Sequence, residues 1–132
     1  MTTETATPAS KFTFSERWDA ELKRFGHVQV SSFFLENYHR LKPYDLTHGE
    51  AMFVIHLMQY KWSADAPYPA YKTLAQKMGV THKTARRLAA SLEAKGYLVR
   101  EKRKNMTNRF HLKKLIDALL ALKRGQPAAV AT

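Results

Sequence analysis

Lys83, Arg86 and Arg87 recur at i, i+3 and i+4, so a helix drawn through them carries three cations and no anion on one face. A guanidinium is a planar fork of donors that fits a phosphate, or the O6 and N7 acceptors of a guanine edge, with two parallel hydrogen bonds. Thr81, His82 and Thr84 share the same stretch, and Lys72 lies just upstream. The hydroxyls of Thr81 and Thr84 and the ammonium of Lys72 suit phosphate oxygens. A second basic run follows: Arg100, Lys102, Arg103 and Lys104, then Asn105, Thr107, Asn108 and Arg109, with Glu101 the one acid between 97 and 112. A charge run is most often a solvated face, but ordinary solvated faces mix signs. These two runs point to a polyanion.

The elements that must carry these groups are legible around them. Leu74, Ala75 and Met78 mark the apolar side of a short helix from Tyr71 to Met78, and Gly79-Val80-Thr81 reads as a tight turn. Thr81 is a suitable N-cap for a second helix ending near Lys95, where Gly96 closes it. Two helices that cross steeply need a small residue at the contact, a residue tolerant of left-handed backbone in the turn, and apolar anchors on the second helix. Ala75, Gly79, and the set Val80, Ala85 and Leu88 meet those demands. With the anchors inward, His82, Lys83, Arg86 and Arg87 face outward near the start of the second helix, the end that a helix-turn-helix presents to major-groove base edges. Tyr97 to Arg103 and Arg109 to Leu112 have strand character around a polar tip from Lys104 to Asn108, which predicts a basic hairpin. Such a wing can lie along the backbone or place an arginine in the minor groove.

The order helix, helix, turn, helix, basic hairpin over residues 46–112 resembles the bacterial winged helix-turn-helix superfamily. The stretches that carry the likeness are Tyr71-Lys72-Thr73-Leu74-Ala75, Met78-Gly79-Val80-Thr81, Thr84-Ala85-Arg86-Arg87-Leu88, Leu92-Glu93-Ala94-Lys95-Gly96-Tyr97-Leu98 and Thr107-Asn108-Arg109-Phe110-His111-Leu112. Ala85 departs from the pattern, which more often has a larger aliphatic residue there. The modules it looks like belong to plasmid and phage replication initiators, primosomal DnaD-like proteins and small regulators. That resemblance implies a mostly α fold with a small β-hairpin wing (α+β), extra N-terminal helices and a C-terminal helix.

Upstream, Ser15 can cap a helix through Trp18, Leu22 and Phe25 that stops at Gly26, and His27 to Val30 alternates like a short strand. Ser31 or Ser32 can start a helix through Phe33, Phe34, Leu35, Tyr38 and Leu41, which must end before Pro43. Thr47 and Glu50 are spaced as a capping box for a helix reaching about Trp62, apolar on most sides and therefore central or covered by a partner. Leu112 to Lys123 reads as an amphipathic C-terminal helix. The expected organisation is a disordered leader over 1–10, one domain over 11–125 and a disordered tail over 126–132.

Composition limits the alternatives. The net charge is +11, yet residues 1–69 hold 7 Lys/Arg against 8 Asp/Glu while residues 70–125 hold 15 against 3. A neutral half joined to a basic half suits a scaffold bearing a polyanion-binding surface. There is no cysteine, which excludes disulfides, thiolate metal sites and a cysteine nucleophile and fits a reducing cytoplasm. The six histidines (27, 39, 48, 56, 82, 111) show no metal-ligand spacing, and His56 reads as a core or interface residue. Neither a phosphate-binding glycine loop nor a catalytic constellation is visible, so the expectation is no enzyme, no cofactor and no metal. Most aromatics lie upstream of the basic region, which disfavours a single-strand stacking surface.

The expected function is sequence-specific double-stranded DNA binding in the cytoplasm, on the nucleoid. The expected role is transcriptional regulator or replication or partition factor, with a homodimer formed through apolar surface in 15–62 and 112–123. The competing reading is a winged-helix module that binds a protein in a larger assembly, and structured RNA is a further candidate ligand.

Overall fold

The computed structural model of the chain describes residues 13–61 and 64–125. The expected leader, the expected tail, the first two residues of the 11–125 domain and Trp62 lie outside the described residues. Seven α-helices and one antiparallel hairpin make up the described part. They are α1 Phe14–Arg17, α2 Ala20–Lys23, α3 Ser32–Asn37, α4 His48–Met58, α5 Tyr71–Met78, α6 His82–Ala94, β1 Val99–Arg103, β2 Met106–His111 and α7 Lys113–Lys123. A 3-10 turn, Tyr38–Arg40, follows α3 directly. The architecture is a winged helix-turn-helix with helices added at both ends.

Helices α4, α5 and α6 pack on one another and on the hairpin through Phe53, Leu57, Leu74, Leu92, Leu98 and Phe110, all at most 1% exposed. Phe53 and Phe110 meet edge to face with centroids 6.1 Å apart. Each such side chain contributes about 1.5–3 kcal/mol on burial, so this cluster is what holds the wing's base against the helices. Gly49 lies where α4 meets α6: a methyl group there would stand 3.3 Å from Leu88 Cδ2. Leu115 of α7 is buried in the same core.

Local signals set the helix ends. Thr47 and Glu50 form the expected capping box, with Thr47 N–H donating to Glu50 Oε1 (2.9 Å) and Glu50 N–H to Thr47 Oγ1 (3.1 Å). Ser31 accepts from Phe34 N–H at 3.3 Å to start α3. Gly79 ends α5 with φ 72°, the left-handed conformation the turn needs, and its N–H reaches back to α5 carbonyls.

Several expectations needed correction. The helix drawn from Ser15 to Phe25 is two single turns, broken at Asp19, whose φ is 142°. Thr13, not Ser15, caps the first, through a capping box with Glu16. Trp18, Leu22 and Phe25 keep their helical spacing but are 71%, 46% and 68% exposed, so no core stabilises a continuous helix through them. Val28 to Val30 is not a strand, because no neighbouring strand pairs with it. The β2 edge is taken instead by the loop before α5, where Pro67 O accepts from Phe110 N–H at 2.9 Å. Helix α4 stops at Met58, well before 62, and its side at Met52 is open, 46% exposed. The wing tip is a two-residue turn, Lys104-Asn105, with Asn105 at φ 57°, so Met106 to Asn108 belong to β2.

Candidate nucleic-acid interface

Helix α6 begins at a well-formed cap. Thr84 N–H donates to Thr81 Oγ1 at 3.0 Å, and the two threonine hydroxyls are also 3.0 Å apart. Ala85, Ala89 and Leu92 are fully buried, which fixes the rotation of the helix about its axis. His82, Lys83, Arg86 and Arg87 are therefore exposed together, as the spacing predicted. Ala85, smaller than the aliphatic residue the pattern favours, is 0% exposed.

Across from α6, the hairpin turns one face toward the helices and the other outward. Arg100 pairs with Phe110 in the register, and Glu101 with Arg109, with a bulge between Glu101 and Arg103. Strand side chains alternate, so Arg100, Lys102, Asn108 and Phe110 look toward α5 and α6 while Glu101 and Arg109 look away. A groove of about 470 Å³ runs between α6 and the wing, with Lys72, His82, Arg86, Arg100 and Lys102 on its walls and Tyr71, Met106 and Phe110 among its apolar lining. Glu101, the single acid of the hairpin, is thus outside this groove. Its carboxylate meets His111 Nε2 at 2.8 Å, and that contact, with nearby Arg109, holds its pKa below the usual carboxylate range.

Tyr71, the first residue of α5, is the junction of all three elements. Its ring meets Phe110 of β2 at 5.7 Å and His82 of α6 at 6.1 Å, both edge to face, and the Arg86 guanidinium stands 5.5 Å from its centre. Its hydroxyl accepts from Arg100 Nη1 (3.1 Å) and Asn108 Nδ2 (3.4 Å). No local pattern signals this role, since the partners lie 11 to 39 positions away and tyrosine at a helix start is unremarkable.

The expected site residues divide by what they already hold. Lys72, His82, Lys83, Arg86, Arg87, Lys102, Lys104 and Asn105 are exposed on α5, α6 and the wing. Arg100 is engaged within the fold: Nε and Nη2 donate to Glu93 Oε1 at 3.1 and 2.6 Å. That hydrogen bonding lowers the Glu93 pKa and raises that of Arg100, so both stay charged across the working range. Arg103 Nε donates to Thr107 O at 2.8 Å, its guanidinium lies 5.1 Å from the centre of the Tyr68 ring, and the Thr107 hydroxyl donates to Tyr68 O. Arg109 is half-buried on the outer face, with Nε enclosed and without a hydrogen-bond partner among the described residues.

The histidines remain dispersed, and no three His, Asp or Glu side chains converge as metal ligands among the described residues. His56 is half-buried on α4, and burial, then the nearby Lys77 charge, lowers its pKa, keeping it neutral near pH 7. No helix among the described residues is long and apolar enough to cross a membrane.

Comparison with known families places a helix-turn-helix domain at residues 44–98, somewhat less than half of the chain. The match runs from the loop before α4 through α6 and ends one residue before the wing begins at Val99. No curated protein matches the chain. The helix-turn-helix match supports a DNA-binding module; the wing and the N-terminal segment lie outside the matched residues.

Proposed function

We propose that the protein is a non-enzymatic, sequence-specific binder of double-stranded DNA. Helix α6 enters the major groove and the wing lies on the backbone or over the adjacent minor groove. The observation that carries this reading is the groove between α6 and the hairpin: Lys72, Arg86 and Lys102 converge there, while Glu101 is turned to the opposite face. Arg86 and Arg87 read base edges, and Lys83, Lys72, Thr81, His82, Lys102, Lys104 and Asn105 set the register on phosphates. Thr84, Arg103, Thr107, Asn108 and Arg109 shape the cap and the wing that carry them.

Its role is that of a transcriptional regulator or a replication or partition factor acting in the cytoplasm, on the nucleoid. Selection of bound fragments from genomic DNA, followed by titration of the selected site and a random duplex, tests the assignment. A preference of about 10³ or more supports it, and equal affinities contradict it.

The protein acts as a homodimer on paired half-sites. Exposed Trp18, Leu22 and Phe25 in the N-terminal segment, with Ile116 and Leu120 on α7, supply the apolar surface for that contact. A dimer mass by light scattering at micromolar concentration is the expected result, and a monomer mass contradicts it. The same exposed aromatics favour the second reading, docking on another protein within a larger assembly, if no duplex is bound.

A further inference from the structure

We propose that Arg100 acts as a latch, not a DNA contact: clamped by Glu93 of α6 and Tyr71 of α5, it fixes the angle of the wing so that Lys102 and Arg86 face one groove. This rests on the DNA-binding reading of that groove. The geometry is unusually complete for a surface arginine. Nε and Nη2 go to Glu93 Oε1, Nη1 goes to the Tyr71 hydroxyl, and the Arg100 backbone N–H donates to Glu93 Oε2 at 3.3 Å. The side chain is 22% exposed, and each of its three nitrogens donates within the fold. Three of its five guanidinium N–H donors are thus engaged within the fold.

The latch joins the wing to α5 and α6 beyond the base that the core holds. Phe110 and Leu98 fix the base of the hairpin, whereas Lys102, Lys104 and Asn105 lie beyond them toward the tip. Arg100 sits one residue after the start of β1 and ties that strand to the last turn of α6. Asn108 ties β2 to the same Tyr71 hydroxyl, so both strands are referenced to one atom. Glu93 is therefore an acid that the DNA-binding face keeps for alignment, although it opposes a polyanion electrostatically.

That conflict gives the test. Glu93→Gln removes a negative charge, so long-range electrostatics alone would strengthen binding to any duplex. The latch demands the opposite. Full-length wild type, Glu93→Gln, Tyr71→Phe and Asp117→Asn are titrated with a short random-sequence duplex over a series of salt concentrations. Amide hydrogen exchange is followed without DNA. Asp117→Asn makes the same charge change on α7, where Asp117 pairs with Lys113 at 3.0 Å, away from the hairpin.

The expected result is about fivefold weaker binding by Glu93→Gln, with a salt slope shallower by about 1 although no cation has been removed. Tyr71→Phe shifts the same way. Asp117→Asn binds as tightly as wild type or more so. Hairpin amides exchange faster in Glu93→Gln, while those of Leu74 and Ala85 do not change. Equal or tighter binding by Glu93→Gln, a matching loss in Asp117→Asn, or unchanged hairpin exchange overturns the latch. Uniformly faster exchange also overturns it, because the effect would then be global. If wild type binds no duplex, the DNA reading fails, and the exchange data alone decide the latch.

Discussion

The ammonium of Lys95 stands 2.6 Å from Glu50 Oε1, and the Glu50 side chain is only 2% exposed. The two residues lie 45 positions apart and tie the start of α4 to the end of α6. Ser91 Oγ donates to the other carboxylate oxygen, and Lys95 Nζ also donates to Asp45 O at 2.8 Å. Glu50 thus serves two ends at once, since the same carboxylate completes the capping box with Thr47. It holds the first helix of the motif against the third.

Breaking this pair leaves a charge without its partner in a nearly dry site. Lys95→Met is expected to destabilise the fold by about 3 kcal/mol, somewhat less than a fully enclosed pair because Lys95 keeps some contact with water. Urea unfolding at neutral pH measures it, and a change within error of zero would contradict the structural role given to the pair.

The same site sets an acid limit. Burial raises the Glu50 pKa, but hydrogen bonds from Lys95, Ser91 and Thr47 and the Lys95 charge outweigh it, leaving the pKa below the ordinary carboxylate value. A depressed native pKa adds stability that is fully present above about pH 4.3 and is lost as pH falls through the native value. Unfolding free energies measured between neutral pH and pH 3 should fall less steeply for Glu50→Gln than for wild type. Parallel curves would remove Glu50 as a source of the acid sensitivity.

The cap of α6 is testable by stability, apart from any DNA contact of Thr81. Thr81→Ala is expected to cost about 1 kcal/mol, and Thr81→Ser to recover most of it, because only the hydroxyl accepts from Thr84 N–H. Thermal or urea unfolding of both variants checks this. Equal losses for serine and alanine would mean that the methyl group, not the cap, is what matters.

Tyr97 offers a comparable case at the far end of the motif. Its hydroxyl accepts from Tyr44 N–H at 3.0 Å and donates to Tyr44 O, fastening the loop before α4 to the segment after α6. Tyr97→Phe should cost about 1 kcal/mol and speed amide exchange at Tyr44. Unchanged exchange there would contradict the fastening.

These relationships show where the sequence could be read and where it could not. The Thr47–Glu50 box, the Gly79 turn and the Thr81 cap are set by residues within four positions of one another, so their types and spacing sufficed. The outward set on α6 followed from placing Val80, Ala85 and Leu88 inward, of which Ala85 is fully buried and the other two half-buried. Trp18, Leu22 and Phe25 misled because periodicity reports a helix only when something covers the apolar face, and here nothing among the described residues does. Glu50 with Ser91 and Lys95, and Tyr71 with Arg100 and Asn108, join residues 29 to 45 apart, and no local pattern encodes such pairs. Arg100 looked like one more wing cation for the same reason: Glu93, its partner, stands on a different element.

On DNA, Arg86 and Arg87 should separate from Lys104. Arg86→Ala and Arg87→Ala are expected to weaken a selected site by about 1–3 kcal/mol each and a random duplex by much less. Lys104→Ala, at the exposed wing tip, should weaken both about equally. Equal losses on both duplexes for the two arginines would sink the base-reading assignment.

The central claim is that the groove between α6 and the wing is a surface for duplex DNA, and a salt-dependent titration of the full chain on selected and random duplexes tests it most directly. With about six phosphates engaged, the logarithm of affinity should fall with the logarithm of salt at a slope near −5, with a large preference for the selected site. Weak binding with neither salt dependence nor preference would contradict the claim.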